Sequence, residues 1–284
     1  MDFTQSIYKS LLESLISRNY FFSSFKDYIE KNHNHTTFCS HRHLAIIRHD
    51  VDRLPQNSLK LAQFEYSLGI KGTYYFRIVP GSYNLEIMEQ ISALGHEIGY
   101  HYEDVDLIWK NAKGKKQRNI NEDELIEMAY DSFCENLELF RKNFNIKTIC
   151  MHGSPRAQFD NKIIWQKYNY KNLGIIGEPY YDIDFNEFAY FTDTGRRWDG
   201  NSVSVRDKVE SKFKFKFKTT QDIINNIDKL PNKIMFTIHP ERWSAWPVKR
   251  SDFLFHGHKT FPWVKELVWQ NIKNIAKKYF FVNK

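Results

Sequence analysis

Several short apolar runs in this chain end abruptly in a histidine or an aspartate, and that repeated pattern limits the fold more than any other feature. The first is His43-Leu44-Ala45-Ile46-Ile47, which runs into Arg48-His49-Asp50-Val51-Asp52. Gly72 to Val79 form a second run, stopped by Pro80-Gly81. His96, Ile98 and Gly99 open a third, leading to Tyr100-His101-Tyr102-Glu103, and Lys147 to His152 make a fourth. Later runs lie at Leu173–Ile176, Ala189–Thr192 and Lys233–His239. Continuous apolar runs without alternation are what strands buried on both faces require, as in parallel sheets.

Between these runs lie segments of helical period. Asn57 to Leu68 end at Gly69, Asn84 caps a helix reaching Leu94 with Gly95 as its stop, and a long amphipathic helix spans about 121 to 144. Before the first strand, Ile7, Leu11, Leu12, Leu15, Ile16, Phe21, Phe22, Phe25 and Ile29 suggest one or two leading helices. A last helix is expected over 262–279. Strands alternating with helices give an α/β fold: a distorted (β/α) barrel of about seven parallel strands with extra N-terminal helices. No fixed repeat or linker divides the chain. The expectation is one domain over 1–284, with 1–40 as a helical extension and 41–284 as the barrel.

In such folds reactive groups gather where strands end. Asp50 and Asp52, His101 and Glu103, His152, and His239 all stand at strand ends, and charge is buried only with a partner. Arg48, Asp50 and Asp52 alternate along an extended strand and so project to one side. Two adjacent carboxylates repel unless a proton, a cation or Arg48 intervenes. Histidine nitrogen and carboxylate oxygen suit zinc and similar ions, while the second carboxylate serves as base on water.

Three of these segments resemble the polysaccharide deacetylase family: Arg48-His49-Asp50-Val51-Asp52, Gly95-His96-Glu97-Ile98-Gly99-Tyr100-His101, and Thr237-Ile238-His239-Pro240. The resemblance runs from about 43 to 240. It implies a distorted barrel and a hydrolase that removes acetyl groups from N-acetylated sugars with one divalent metal, zinc being expected. It makes Asp50 the general base, Asp52 and His101 metal ligands, and His239 the acid for the leaving amine. Asp193 would hold the catalytic groups in place. His152-Gly153-Ser154-Pro155-Arg156 falls where the family lines its groove, which makes Ser154 and Arg156, with Arg48 and Trp243, the expected substrate contacts. The family's second motif carries another histidine four residues on, where this chain has Val105. Glu103 or His152 is expected to fill that ligand position. Two other readings remain open on the residues: a carbohydrate-binding protein that has lost the metal, and a metal-independent hydrolase using paired carboxylates.

Composition limits the partners. A net charge of +7 without a nucleic-acid motif or a basic helix face speaks against nucleic acid and leaves a glycan or activated sugar as the expected substrate. Three cysteines, Cys39, Cys134 and Cys150, do not suggest a disulfide framework. No N-terminal leader pattern and no run of about 18 apolar residues is present, so a cytoplasmic protein is expected. No feature speaks to oligomeric state. His33, His35, Cys39, His41 and His43 read as a solvated connector rather than a second metal site, for want of paired spacing. Ser211 to Lys218 alternate Phe and Lys as an edge strand would, the lysines deterring strand addition, with a basic ridge for an anionic glycan as the functional alternative. Trp243, Trp246 and Trp263 either stack on sugar rings or pack.

Overall fold

The computed structural model describes residues 2–33, 43–112, 120–199 and 204–243, together with scattered helical positions between Glu266 and Tyr279. His35, Cys39, His41, Trp246 and Trp263 lie outside them.

Seven parallel strands form one sheet that curls into a half-barrel: β1 (Tyr20–Ser23), β2 (His43–Val51), β3 (Thr73–Phe76), β4 (Glu97–Tyr102), β5 (Ile149–Met151), β6 (Ala189–Thr192) and β7 (Lys233–Ile238). Their order is β5-β4-β3-β2-β7-β6. The central strand β2 pairs with β7 on one edge, and with β1 and then β3 along the other. Its residues from Leu44 to Val51 are all buried, as its unbroken apolar run requires. β2 therefore delivers Arg48, Asp50 and Asp52 to the centre of the sheet's C-terminal edge. β4 and β5 bring His101 and His152 from one side, and β7 brings His239 from the other.

The helices α1 (Gln5–Ser17), α2 (Phe25–His33), α3 (Pro55–Ser67), α4 (Leu85–Ala93), α5 (Asp104–Asn111) and α6 (Glu122–Arg141) precede β5. Their ends follow the signals in the sequence. The Asn84 side chain accepts from the Ile87 N–H, and Asn121 forms a capping box with Glu124. Gly95 follows α4 at φ +86°, a conformation that costs glycine little.

Three expectations change. Tyr20-Phe21-Phe22-Ser23 is a strand rather than helix, because its aromatic residues pair with β2 instead of covering a helix stripe. Leu173–Ile176 is not a strand: Tyr170–Leu173 form a 3₁₀ turn, and only a single bridge joins Thr148 to Gly177. Ser211–Lys218 carries no ladder, although Phe213, Phe215 and Phe217 do pack inward on the core around Phe191.

Candidate functional site

β2 ends in two carboxylates held by different partners. The Arg48 guanidinium, fully buried, donates from Nε to Asp50 Oδ1 at 2.8 Å and from Nη2 to Asp50 Oδ2 at 2.5 Å. Burial pushes the Asp50 carboxyl up, but the Arg48 charge outweighs it and the net value falls to about 2. Arg48 lies behind Asp50 and outside the pocket wall, so its expected substrate contact is replaced by a clamp on Asp50. On the opposite face of β2, His49 donates to Glu65 of α3 at 2.8 Å. Tyr8 and Tyr74 hydroxyls donate to the same buried carboxylate. No local spacing signals this network, since its members come from α1, β2, α3 and β3.

Asp52, just past β2, faces two imidazoles. Its Oδ1 lies 3.6 Å from His101 Nε2 and 3.4 Å from His152 Nε2, and it is buried with no hydrogen-bond partner among the described residues. A tetrahedral ion with ligands at about 2.05 Å needs all of its ligand atoms about 3.3 Å apart. Asp52 Oδ1 meets that separation to each imidazole, but the three atoms do not converge within 4.8 Å of one another, so the two rings would have to close on an ion. The ring orientations fit. His101 Nδ1 is engaged by the Cys150 carbonyl at 2.9 Å, which leaves Nε2 to face the carboxylates. His152 Nδ1 lies 3.2 Å from Glu103 Oε2, an ion-pair distance without hydrogen-bond geometry. Burial lowers the His152 pKa, but Asp52 and Glu103 overcome it and raise it to about 10. A positive charge is thus favoured where the Asp52 and Glu103 carboxylates converge.

Val105 is buried in the core at the start of α5, whereas His152 reaches Asp52 from the end of β5. Glu103 is not positioned as a ligand. Arg77 grips both its oxygens at 2.7 Å and also donates to the Asp52 carbonyl at 3.2 Å. Among the described residues, Asp50, His101 and Cys150 form the set whose donor atoms all lie within 4.8 Å of one another. Its thiol suits a cation poorly, because burial holds the Cys150 pKa well above its ordinary range.

Across the pocket stands the second dyad. His239 Nδ1 lies 2.6 Å from Asp193 Oδ1, and the His239 N–H donates to Asp193 Oδ2 at 2.9 Å. Arg242 and the Trp243 indole N–H complete the Asp193 shell at 2.9 and 2.7 Å. Burial and Arg242 push His239 down, while Asp193 pulls it up, for a net value of about 9. Trp243 is fully buried against Phe3 and Tyr8, so it packs and does not stack on sugar.

Between the dyads lies a pocket of about 200 Å³ walled by Asp50, Asp52, His101, His152 and His239. Ser154 lines it as expected; Arg156 does not, being exposed and held by its N–H on Ser154 Oγ. Arg206, Asp207 and Arg242 line it instead. Asp207 accepts from Tyr180 and Thr194 hydroxyls and lies 4.0 Å from His239 Nε2. Neither Arg206 nor Asp207 sits in a recognisable motif. Arg242 stands three residues past His239, and that closeness to the third motif segment is its signal in the sequence.

No family model and no curated protein matches this chain. Among solved structures, a Streptococcus pyogenes deacetylase, PplD, in complex with acetate is similar at TM-score 0.41 and 14% identity, over 58% of this chain and 70% of that one. A Streptococcus mutans CE4 esterase is similar at TM-score 0.42 and 12% identity, over 91% and 89%.

Proposed function

We propose that this protein is a metal-dependent hydrolase that removes an acetyl group from an N-acetylated sugar. The observation that carries the reading is the convergence, in one pocket, of Asp52, His101 and His152 with the Arg48-clamped Asp50 on one side and the Asp193–His239 dyad on the other. The motif resemblance supports the same assignment.

Asp52, His101 and His152 would hold one divalent ion, and zinc suits their donor atoms. Clamped at about 2, Asp50 is a weak base alone; a bound divalent ion would supply the acidification of water and the polarisation of the amide carbonyl that it lacks. Asp50 remains ionised and fixed, ready to accept a proton from the attacking water. His239, protonated through its pairing with Asp193, donates from Nε2 to the departing amine nitrogen. Glu103, itself held by Arg77, orients His152. The chain acts as one catalytic unit, because Phe3 and Tyr8 of the leading segment support Trp243 and through it Asp193.

Acetate release from N-acetylglucosamine oligomers tests this reading. Chelation should abolish release and zinc should restore it, while Asp50→Asn and His239→Ala should each lose at least about 100-fold. Release that survives both chelation and Asp50→Asn would refute it.

A further inference from the structure

Past the pocket wall formed by Ser204 to Asp207, and after the intervening residues 208–211, the chain carries a row of exposed lysines. Lys212, Lys214, Lys216 and Lys218 all point to solvent, while Phe213, Phe215 and Phe217 turn to the core. Ring centroids 6.3 Å apart for Phe213 and Phe215, and 5.2 Å for Phe215 and Phe217, mark an extended two-residue repeat. The lysines therefore follow one another at about 6.6 Å and cover roughly 20 Å. None of the four has a carboxylate within 4.0 Å among the described residues, although Lys218 lies in the field of Asp199 and Asp222 and Lys212 Nζ sits 5.3 Å over the Phe213 ring. The segment has no ladder, so these charges do not guard a sheet edge in the usual way.

At the near end of the row, Arg206 lines the pocket. Its Nη2 donates to the Ala157 carbonyl at 2.9 Å and its Nη1 lies 3.8 Å from Asp160 Oδ2, but its buried Nε has no partner among the described residues. A buried donor left open in a binding pocket calls for an acceptor from the ligand.

We propose that residues 204–218 form a track for an acidic glycan, with Arg206 meeting an acceptor inside the pocket and the four lysines holding successive carboxylates of the chain outside it. A single phosphate would need one or two cations, not four in line. A membrane-binding face would turn its aromatic residues outward with the lysines, and single-stranded nucleic acid would need exposed aromatic platforms; here the phenylalanines face the core. The substrate class rests on the deacetylase reading, but the binding surface does not.

The test is fluorescence anisotropy with a labelled dodecamer of galacturonic acid, at 50 and 200 mM salt, using chelated protein so that no turnover is involved. Wild type should bind it in a salt-sensitive way and at least tenfold more tightly than an uncharged chitin oligomer. The combined Lys212→Gln, Lys214→Gln, Lys216→Gln and Lys218→Gln variant should lose at least tenfold and show a shallower salt slope, whereas the corresponding Arg variant should keep both. Unchanged thermal unfolding establishes that the Gln variant is folded. Arg206→Gln should weaken both oligomers. Equal binding of charged and neutral oligomers, or undiminished binding by a folded Gln variant, would overturn the proposal. So would loss on the Gln variant confined to vesicles of anionic phospholipid. Failure of acetate release alone would sink the hydrolase reading and leave the binding track standing.

Discussion

Replacing Asp193 by Asn isolates the electrostatics of the acid dyad. Asp193 accepts the His239 N–H, the Arg242 guanidinium and the Trp243 indole, and lies 2.6 Å from His239 Nδ1. Asn cannot serve all of these, since its amide turns a donor toward donors. Burial and Arg242 both favour neutral His239, so the raised value of about 9 depends on the Asp193 charge, with a smaller contribution from Asp52. Against an unfolded value of 6.5, that shift corresponds to about 3 kcal/mol. Because the folded value is the higher one, this stabilisation is complete below pH 6.5 and is lost as pH rises through about 9. Histidine-ring NMR on chelated protein should show His239 titrating near 9 in wild type and at or below 6.5 in Asp193→Asn. Over the same window, the wild type should lose stability with rising pH while the variant's curve is flatter. A wild-type midpoint below 7, or an unchanged midpoint in the variant, would refute the reasoning.

Glu65→Ala should cost about 3 to 5 kcal/mol in denaturant unfolding, because it strands the buried donors of Tyr8, Tyr74 and His49 far from the pocket. Gly99→Ala would set a Cβ 2.3 Å from the Tyr75 ring; the forced shift should cost about 1 to 3 kcal/mol and lower the melting temperature by several degrees. Glu103→Gln should weaken zinc binding about 10- to 100-fold in a calorimetric titration by loosening His152 while leaving the three proposed ligands in place.

The strand ends were legible in the sequence because charge at the end of a buried strand must meet a partner there. β2, β4, β5 and β7 bring Asp50, Asp52, His101, His152 and His239 together for that reason. Where Glu103 and His152 would stand relative to Asp52 was not legible, because it depends on the approach of β5 to β4 and on the grip of Arg77 on Glu103, which are facts of packing. Trp243 was misread because an aromatic ring that packs and one that stacks on sugar have the same local signature. β1 was missed because Tyr20-Phe21-Phe22-Ser23 is too short for period alone to separate strand from helix. Asp207 and Arg206 reach the pocket from a segment without strand or helix period, so no pattern could point to them.

The central claim is that Asp52, His101 and His152 together hold one divalent ion. Calorimetric titration of zinc into chelated protein tests it most directly, with Asp52→Ala, His101→Ala, His152→Ala and Cys150→Ser beside the wild type. The account predicts one site in the wild type and in Cys150→Ser, and at least about 100-fold weaker binding in each of the three ligand variants. Wild-type affinity in His152→Ala, or loss of the site in Cys150→Ser, would contradict it.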